Sequence, residues 1–527
     1  MPRGAHFSLP SRGLHTVSVR VAVAVPRDAA AGIPLARANS GLAPLPDRAS
    51  VVVFQWIATC GEAIMHERIS VIGLGKLGVC LAACAAGKKV LVTGVDVSPR
   101  TVALVNEGKA PVLEPGLAEM IAANRERLTA THDVGLAVAQ SDITFIVVPT
   151  PSEAHGGFSL RYVLQACEDI GRALRQKASY HLVVVVSTVL PGSTDFGIVP
   201  ALEKNSGKQC GQDFGVCYSP EFIALGDVLR GMLQPDFALI GESDSRAGAI
   251  LEGWYQAFCE NQPQVCRMNF VSAELTKIAV NTYVTTKITF ANMLAAICEQ
   301  LPGADIDAVT GALGRDLRIG RRYLSGGLGY GGPCFPRDNR ALAFTARTLG
   351  CQATLAEATD ALNKSFSDTI VSRIRAVVAP DKTVAILGLA YKPNTNVIED
   401  SQQLAIAREL ASAGYRVIVF DRYALENARL VLGNDVTYAN SVEECLRAAE
   451  AVVVASPGEE FKDLRPSDYP RRPEPIVVFD CWRILRDRLS NCEWVKYVPL
   501  GVGDGDSASA LRLAEIWQEP VASARGS

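Results

Sequence analysis

The sequence predicts an α/β protein in which two doubly wound, Rossmann-like domains are joined by a long-helix central domain. Three observations carry that prediction. ISVIGLGKLGVCLAACAAG reads as a strand, a GxGxxG turn and an Ala-rich helix, the opening of a nucleotide-binding unit. From Asp381 the chain repeats its own plan. TVAILGLAYKPNT parallels ISVIGLGKLG, YRVIVFD ending at Asp421 parallels KVLVTGVD ending at Asp96, AEAVVVASP parallels SDITFIVVPTP, and PIVVFDCWRIL parallels HLVVVVSTVLPG. Between the halves, SAELTKIAVNTYVTTKITFANMLAAICEQL is one helical run, long enough to be a domain spine. The expected domains span residues 65–265, 266–375 and 376–505, with a tail over 506–527.

Residues 1–64 contain six Arg, no Lys and only Asp28, Asp47 and Glu62 as acids, and Met65 stands directly before HERISVIGLGKLG. Such a leader fits a transit segment or a start site assigned too early; it is expected to be disordered or absent and to carry no chemistry. The whole chain, 48% hydrophobic and 20% charged with formal net charge −3, implies neither a nucleic acid nor a membrane surface as partner. Its longest apolar stretch, SYHLVVVVSTVLPG, reads as a buried strand stopped by Pro191 and Gly192, short of the roughly 18 uncharged residues of a membrane span. Fourteen cysteines, from Cys60 to Cys492, form no CxxC pair and no His/Cys cluster. No metal site is expected, and a soluble protein of the reducing cytoplasm fits best.

In the first half, Gly73, Gly75 and Gly78 make the turn. Asp96 ends the next strand, close to the roughly 20-residue spacing at which an acid takes the ribose hydroxyls of a dinucleotide. A carboxylate there repels a 2′-phosphate, so NAD is preferred to NADP. SDITFIVVPTPS and HLVVVVSTVLPG follow as strands, and their ends put Thr150 and Thr188 where cofactor and substrate meet, unless these are plain turn-capping hydroxyls. On the spine, Lys277 and Asn281 stand four apart and share a face, either for function or simply solvated. The second half lacks the glycine triplet: GLAYKPNT sets Lys392 where close pyrophosphate approach wants Gly. A lysine there attracts phosphate as a point charge, so the second half is expected to take a different phosphorylated ligand, the substrate carrier.

In GGLGYGGPCFPRD, Gly326 to Asp338, five glycines crowd around Cys334, and Arg337 and Asp338 follow it. Glycine density of that kind is expected to present Cys334 on a bare loop, as a nucleophile is displayed. All six histidines fall before residue 182, so carboxylates and lysine are expected to handle protons at the cysteine.

Several motifs occur in one order from about Met65 to about Leu500: GLGKLG with Asp96, VNEGKAPVLEPGL, VPTPS, STVLPGST, SPEF, ELTKIAVNTY, RIGRRYLSGGLGYGGPCFPRD and GLAYKPNT. Over that span the chain resembles the UDP-glucose/GDP-mannose dehydrogenases. The resemblance implies an NAD-dependent four-electron oxidation of a nucleotide sugar's C6 alcohol to a carboxylate, through a thiohemiacetal and a thioester on Cys334. It implies that Lys277, with Asn281 as hydrogen-bonding companion, stabilises oxyanion character at C6. Asp338 and Thr150 resemble the pair holding the hydrolytic water, and Glu221 matches the acid beside the thioester. Cofactor contacts are implied for Gly73, Gly75, Leu77, Gly78, Asp96, Pro149, Thr150, Thr188 and Arg337. Substrate contacts are implied for Glu221, Phe222, Ile223, Lys277, Asn281, Arg318, Tyr323, the glycines from 326 to 332 including Gly327 and Gly331, and Lys392. The family arginine matching Arg318 reaches into the neighbouring subunit's site, which implies a homodimer or larger homo-oligomer built on the helical middle.

The chain departs from the family pattern at four places. Leu225 replaces a glutamate of PEFLREG, Arg337 a lysine, Glu399 an arginine of KPNTDDIRES, and Trp482 an arginine of DGRN. The first and third remove polar partners of substrate or cofactor. UDP-glucose, GDP-mannose and an N-acetylated UDP-hexose stay open as substrates. Two other functions stay open as well: a two-electron hydroxyacid-type dehydrogenase, which needs neither a displayed cysteine nor a second α/β half, and a non-catalytic nucleotide-sugar-binding regulator.

Overall fold

In β1 (Arg68–Ile72), β4 (Ile143–Ile146) and β5 (Leu182–Val185) every residue but Arg68 is buried, the mark of strands covered on both faces. Val71, Phe145 and Val184 pack on one side with the helix Lys76–Gly87, and Ile72, Ile146 and Val185 on the other with Arg161–Gln176. These strands form the centre of the first domain in a computed structural model that describes residues 67–223, 226–503 and 507–518. The expectations for residues 1–64 and for Leu225 lie outside the described residues.

The other strands of this sheet are β2 (Leu91–Val95), β3 (Leu128–Thr131), β6 (Gly215–Tyr218), β7 (Phe237–Glu242) and β8 (Gln264–Met268). Eight strands stand in the order β3-β2-β1-β4-β5-β6-β7-β8, parallel except where β6 meets β7. The second sheet contains β9 (Thr383–Leu387), β10 (Arg416–Phe420), β11 (Thr437–Tyr438), β12 (Ala451–Val454), β13 (Ile476–Asp480) and β14 (Val495–Pro499). Its order, β11-β10-β9-β12-β13-β14, repeats the first six positions of the other sheet, so the duplicated sequence pattern is a duplicated topology. Even the acids correspond. Asp96 accepts the Leu74 N–H at 2.8 Å, and Asp421 accepts those of Leu389 and Ala390 at 2.8 and 3.0 Å.

The spine helix, Phe270–Gln300, has 31 residues and is capped by Asn269, whose side chain accepts the Ser272 N–H at 3.0 Å. At 1.5 Å per residue it is about 46 Å long, enough to run past both sheets. Its buried polar residues Glu274, Lys277, Asn281, Thr285 and Asn292 recur at spacings of three, four and seven, a single face. Against this face packs the cysteine helix Phe335–Thr348, and after it comes Thr354–Val377.

Ion pairs tie the second α/β unit to the helical middle. Arg483, with only 8% of its surface exposed and φ at +58°, grips Asp307 with two nitrogens at 2.8 and 2.9 Å and donates to the carbonyls of Gly326 and Leu500 at 2.7 and 2.8 Å. Arg486 reaches Asp305 at 2.6 Å. The Trp482 indole N–H donates to the Ala455 carbonyl at 3.0 Å, and its ring closes over Gly327, where an added Cβ would meet it at 2.6 Å. An arginine is therefore present one residue beyond the departure at Trp482, and it serves domain docking.

Candidate active site

The glycine turn of the first domain needs each glycine for a different reason. Gly73 has φ +94°, and a Cβ there would strike the Val147 carbonyl at 2.4 Å. At Gly78 a Cβ would lie 1.8 Å from the Gly73 carbonyl, which forces close packing of helix on turn. Gly75 instead faces open space, with nothing within 4 Å of a Cβ, at the N-terminus of Lys76–Gly87. Bare backbone N–H groups at a helix start, open to solvent, fit a diphosphate. Asp96 stands at the end of β2 with Oδ1 on the Ser98 N–H at 2.8 Å; Leu77 is half-buried and Pro149 exposed. The Thr150 hydroxyl donates to the Thr188 carbonyl at 2.7 Å, joining the turns after β4 and β5.

Cys334 is not on a bare loop. It is exposed, but it caps the N-terminus of the cysteine helix, with Pro336 and Asp338 in the first turn. That position favours a thiolate. Opposing it, the crowding of protein around the sulfur pushes the thiol pKa up, and Asp338 adds to this; Arg337 and Lys277 pull it back, and Glu399 raises it again. Burial and the helix N-terminus thus act on the Cys334 thiol in opposite directions.

The groups around it are bound to one another. Asn281 donates to Asp338 at 2.6 Å, linking the spine to the cysteine helix. Lys277 donates to the Glu221 main-chain carbonyl at 2.6 Å, and its ammonium lies 4.6 Å from the centre of the Phe222 ring. Burial lowers the Lys277 pKa, against the opposing pull of Asp338 and Cys334. Arg337 reaches the Thr150 carbonyl at 3.2 Å and Asp338 at 3.4 Å, over the Phe158 ring at 4.3 Å. The Glu221 carboxyl lies close enough to Tyr255, Cys84 and Cys259 for its charge to act on them, and burial raises its pKa to about 7, moderated by Lys277. Of the histidines, His155 does meet the cysteine helix, stacking on Phe344 at 4.5 Å, but that is about 15 Å of helix beyond Cys334.

The glycine loop before the cysteine is held by residues that the sequence reading missed. Asn292 accepts the Gly327 N–H at 2.8 Å and Gln402 that of Gly329 at 2.8 Å. Asn363 accepts the Tyr330 N–H and donates to the Tyr330 carbonyl, both at 2.9 Å. The Glu399 carbonyl accepts the Gly332 N–H at 2.8 Å, and the Tyr391 ring leaves Gly332, at φ +83°, room for no side chain. A Cβ on Gly331 would meet the Asp400 carbonyl at 2.4 Å. Glu274 was missed too: it accepts the N–H groups of Gly192 and Thr194 at 2.6 and 2.8 Å and fixes the turn carrying Thr188. Its spacing from Lys277 and Asn281 on the spine was the available signal.

Family models for the UDP-glucose/GDP-mannose dehydrogenases match the chain three times: the NAD binding domain over residues 67–259, the central domain over 271–365 and the UDP binding domain over 385–487. The UDP-glucose 6-dehydrogenase AglM of Haloferax volcanii is 36% identical over 426 residues, 80% of this chain and 97% of that protein. The chain belongs to the UDP-glucose/GDP-mannose dehydrogenase family. A GDP-mannose 6-dehydrogenase of Pseudomonas putida is 34% identical over 414 residues, 75% of this chain and 92% of its own. A solved UDP-glucose dehydrogenase from Pyrobaculum islandicum superposes with a TM-score of 0.75 at 34% identity, covering 84% of this chain and 98% of that one. This dehydrogenase thus has the three-domain architecture of an NAD-dependent oxidoreductase family.

Among the remaining expected residues of the dehydrogenase, Phe222 borders Lys277 and Tyr323 borders Phe335, the residue after Cys334. Phe222 stacks at a tilt on Phe237 at 4.7 Å, and Ile223 packs against the first domain's core. Tyr323 is half exposed at φ +64°, its ring edge-on to Phe335 at 6.5 Å. Lys392 is half-buried between the two nucleotide-binding units; burial lowers its pKa, opposed by the charges of Glu114 and Asp227 in the first. Arg318 is exposed and pairs with Asp316, its side chain reaching both carboxylate oxygens. No helix of the described residues is long and apolar enough to cross a membrane.

Proposed function

We propose that this dehydrogenase oxidises the C6 alcohol of UDP-glucose or a related UDP-hexose to the uronate through covalent attachment to Cys334. The observation that carries the reading is the meeting of Cys334 at a helix N-terminus with buried Lys277 and the Asn281–Asp338 pair, in a chain whose first domain has an NAD-type glycine turn. Bound NAD supplies the hydride acceptor for each of the two oxidations, so two are consumed per sugar. Lys277, a buried donor, stabilises the oxygen at C6 as it gains negative charge. Cys334 gives up its proton as its sulfur adds to the aldehyde, and the thiohemiacetal formed is the species from which the second hydride leaves, giving the thioester. Asp338 and Thr150 then orient the water that cleaves the carbon–sulfur bond and regenerates the thiol.

Lys392 and the glycine loop are assigned to the nucleotide sugar, and the match of the second unit to a UDP binding domain supports a uridine carrier. A homodimer built on the spine helix completes the reading. Val271, Leu275, Tyr283, Phe290 and Ile297 line the spine face opposite Lys277 and are 40–63% exposed, an apolar stripe that a second copy would cover. Arg318 would act across that boundary. The enzyme is placed in the cytoplasm. NADH absorbance with UDP-glucose, GDP-mannose and an N-acetylated UDP-hexose tests the substrate assignment. Reduction of NAD by UDP-glucose well above the others supports it; exclusive use of GDP-mannose contradicts it.

A further inference from the structure

A cavity of about 380 Å³ lies between the two nucleotide-binding units. One wall is formed by Lys76, at the start of the helix Lys76–Gly87, with Glu114 and Gly226; the other by Asn394 and Asn396 of the turn after β9 and by Tyr423, just beyond β10. Both walls are held in place. Glu114 accepts the N–H groups of Gly226 and Val228 at 3.0 and 2.8 Å. Asn394 sits at φ +60°, in the left-handed region that Asn tolerates, and its carbonyl would lie 2.8 Å from a Cβ on Gly226, so here backbone meets backbone across the cleft. The Tyr423 N–H is bound by Asp421 at 2.8 Å, while its side chain stays 40% exposed. The cavity therefore offers on one side the Lys76 cation, the residue directly after Gly75, and on the other a planar phenol. That pairing suits a diphosphate carrying flat rings.

We propose that Tyr423 and Asn394 form the far wall of the dinucleotide site, so that NAD is gripped between the two nucleotide-binding units and its affinity depends on residues of the substrate domain. The inference rests on the NAD-dependent reading above. It makes cofactor affinity sensitive to side chains more than 300 positions from the glycine turn, one of them, Tyr423, just past the strand end that parallels Asp96.

Isothermal titration of NAD, and separately of UDP-glucose, into the full-length wild type and three variants tests it. Tyr423→Ala should weaken NAD about tenfold, the loss of one ring stack, and Tyr423→Phe should keep the affinity. Asn394→Asp, which tolerates the same backbone conformation, should weaken NAD by repelling the diphosphate. UDP-glucose affinity should stay the same in all three. Weakened UDP-glucose with unchanged NAD would give the cavity to the sugar nucleotide and overturn the inference, and unchanged affinity for both would reduce the wall to packing. A wild type that takes up no NAD would sink the functional reading itself, and the inference with it.

Discussion

Glu221 sets a pH dependence that the folded protein itself creates. Burial raises its pKa from 4.5 to about 7, so between those values the folded state holds a proton that the unfolded chain has lost. Stability therefore falls as pH rises through that window, and the full cost is present above pH 7. Glu221→Gln should be nearly neutral at pH 4.5 and stabilising by up to about 3 kcal/mol at pH 8. Thermal melts at the two pH values measure this, and a variant that tracks wild type at both would contradict it. At this scale much was readable beforehand. The glycine triplet on its strand–helix turn, Asp96 at a strand end and the shared helix face of Lys277 and Asn281 could be read from residue type and spacing. Glu274, Asn292 and Asn363 could not, because a polar residue inside a helix reads as solvated until the loop it serves is seen against it.

At the scale of elements, the cysteine loop is the place where the sequence misled and then could have corrected itself. Five glycines suggested freedom, yet the loop is bound by side-chain amides from three helices, and FPRD opens a helix with Pro and Asp in its first turn, a start signal present in the letters. The glycines serve close packing. Gly327→Ala should cost about 1–3 kcal/mol by driving a methyl into the Trp482 ring, and Trp482→Ala in the same chain should return part of that loss. Chemical denaturation of the two single variants and the double variant measures the coupling; strict additivity would show that the ring is not the obstacle. In the first sheet a buried ladder runs from Ser70 to Thr144 at 2.7 Å and on to His181 at 2.7 Å, just before β5. Burial pushes the His181 pKa down to about 3, so below about pH 6.5 the unfolded chain gains a proton that the fold refuses. Stability should drop by up to about 1.4 kcal/mol per pH unit there, a slope that His181→Gln should flatten in pH-dependent melts. An equal slope in both proteins would assign the acid sensitivity elsewhere.

At the scale of the molecule, duplication and linkage decide what can work together. The repeated strand order was legible from Asp381 onward, whereas the antiparallel meeting of β6 and β7 was not, because burial of a short apolar strand looks the same in either direction. Nor could the letters show that Arg483, beside the unexpected Trp482, would bind Asp307 and dock the second unit. The proposed dimer makes a test in trans. Arg318→Ala and Cys334→Ala should each lose activity, and after subunit exchange mixed dimers should regain some, since one site would carry both defects and the other neither. Verified exchange without recovery would place Arg318 in its own subunit's site.

The central claim is that the sugar becomes covalently attached to Cys334 on its way to the acid, and the mass of a Cys334→Ser protein incubated with UDP-glucose and NAD tests it most directly. A serine hydroxyl still adds to an aldehyde, but it ionises far less readily than a thiol, and an ester yields to water more slowly than a thioester. Turnover should collapse, and intact-protein mass should rise by the nucleotide uronic acyl group. Near wild-type turnover with no mass increase on either protein would show that Cys334 is a structural helix cap and that the oxidation proceeds without it.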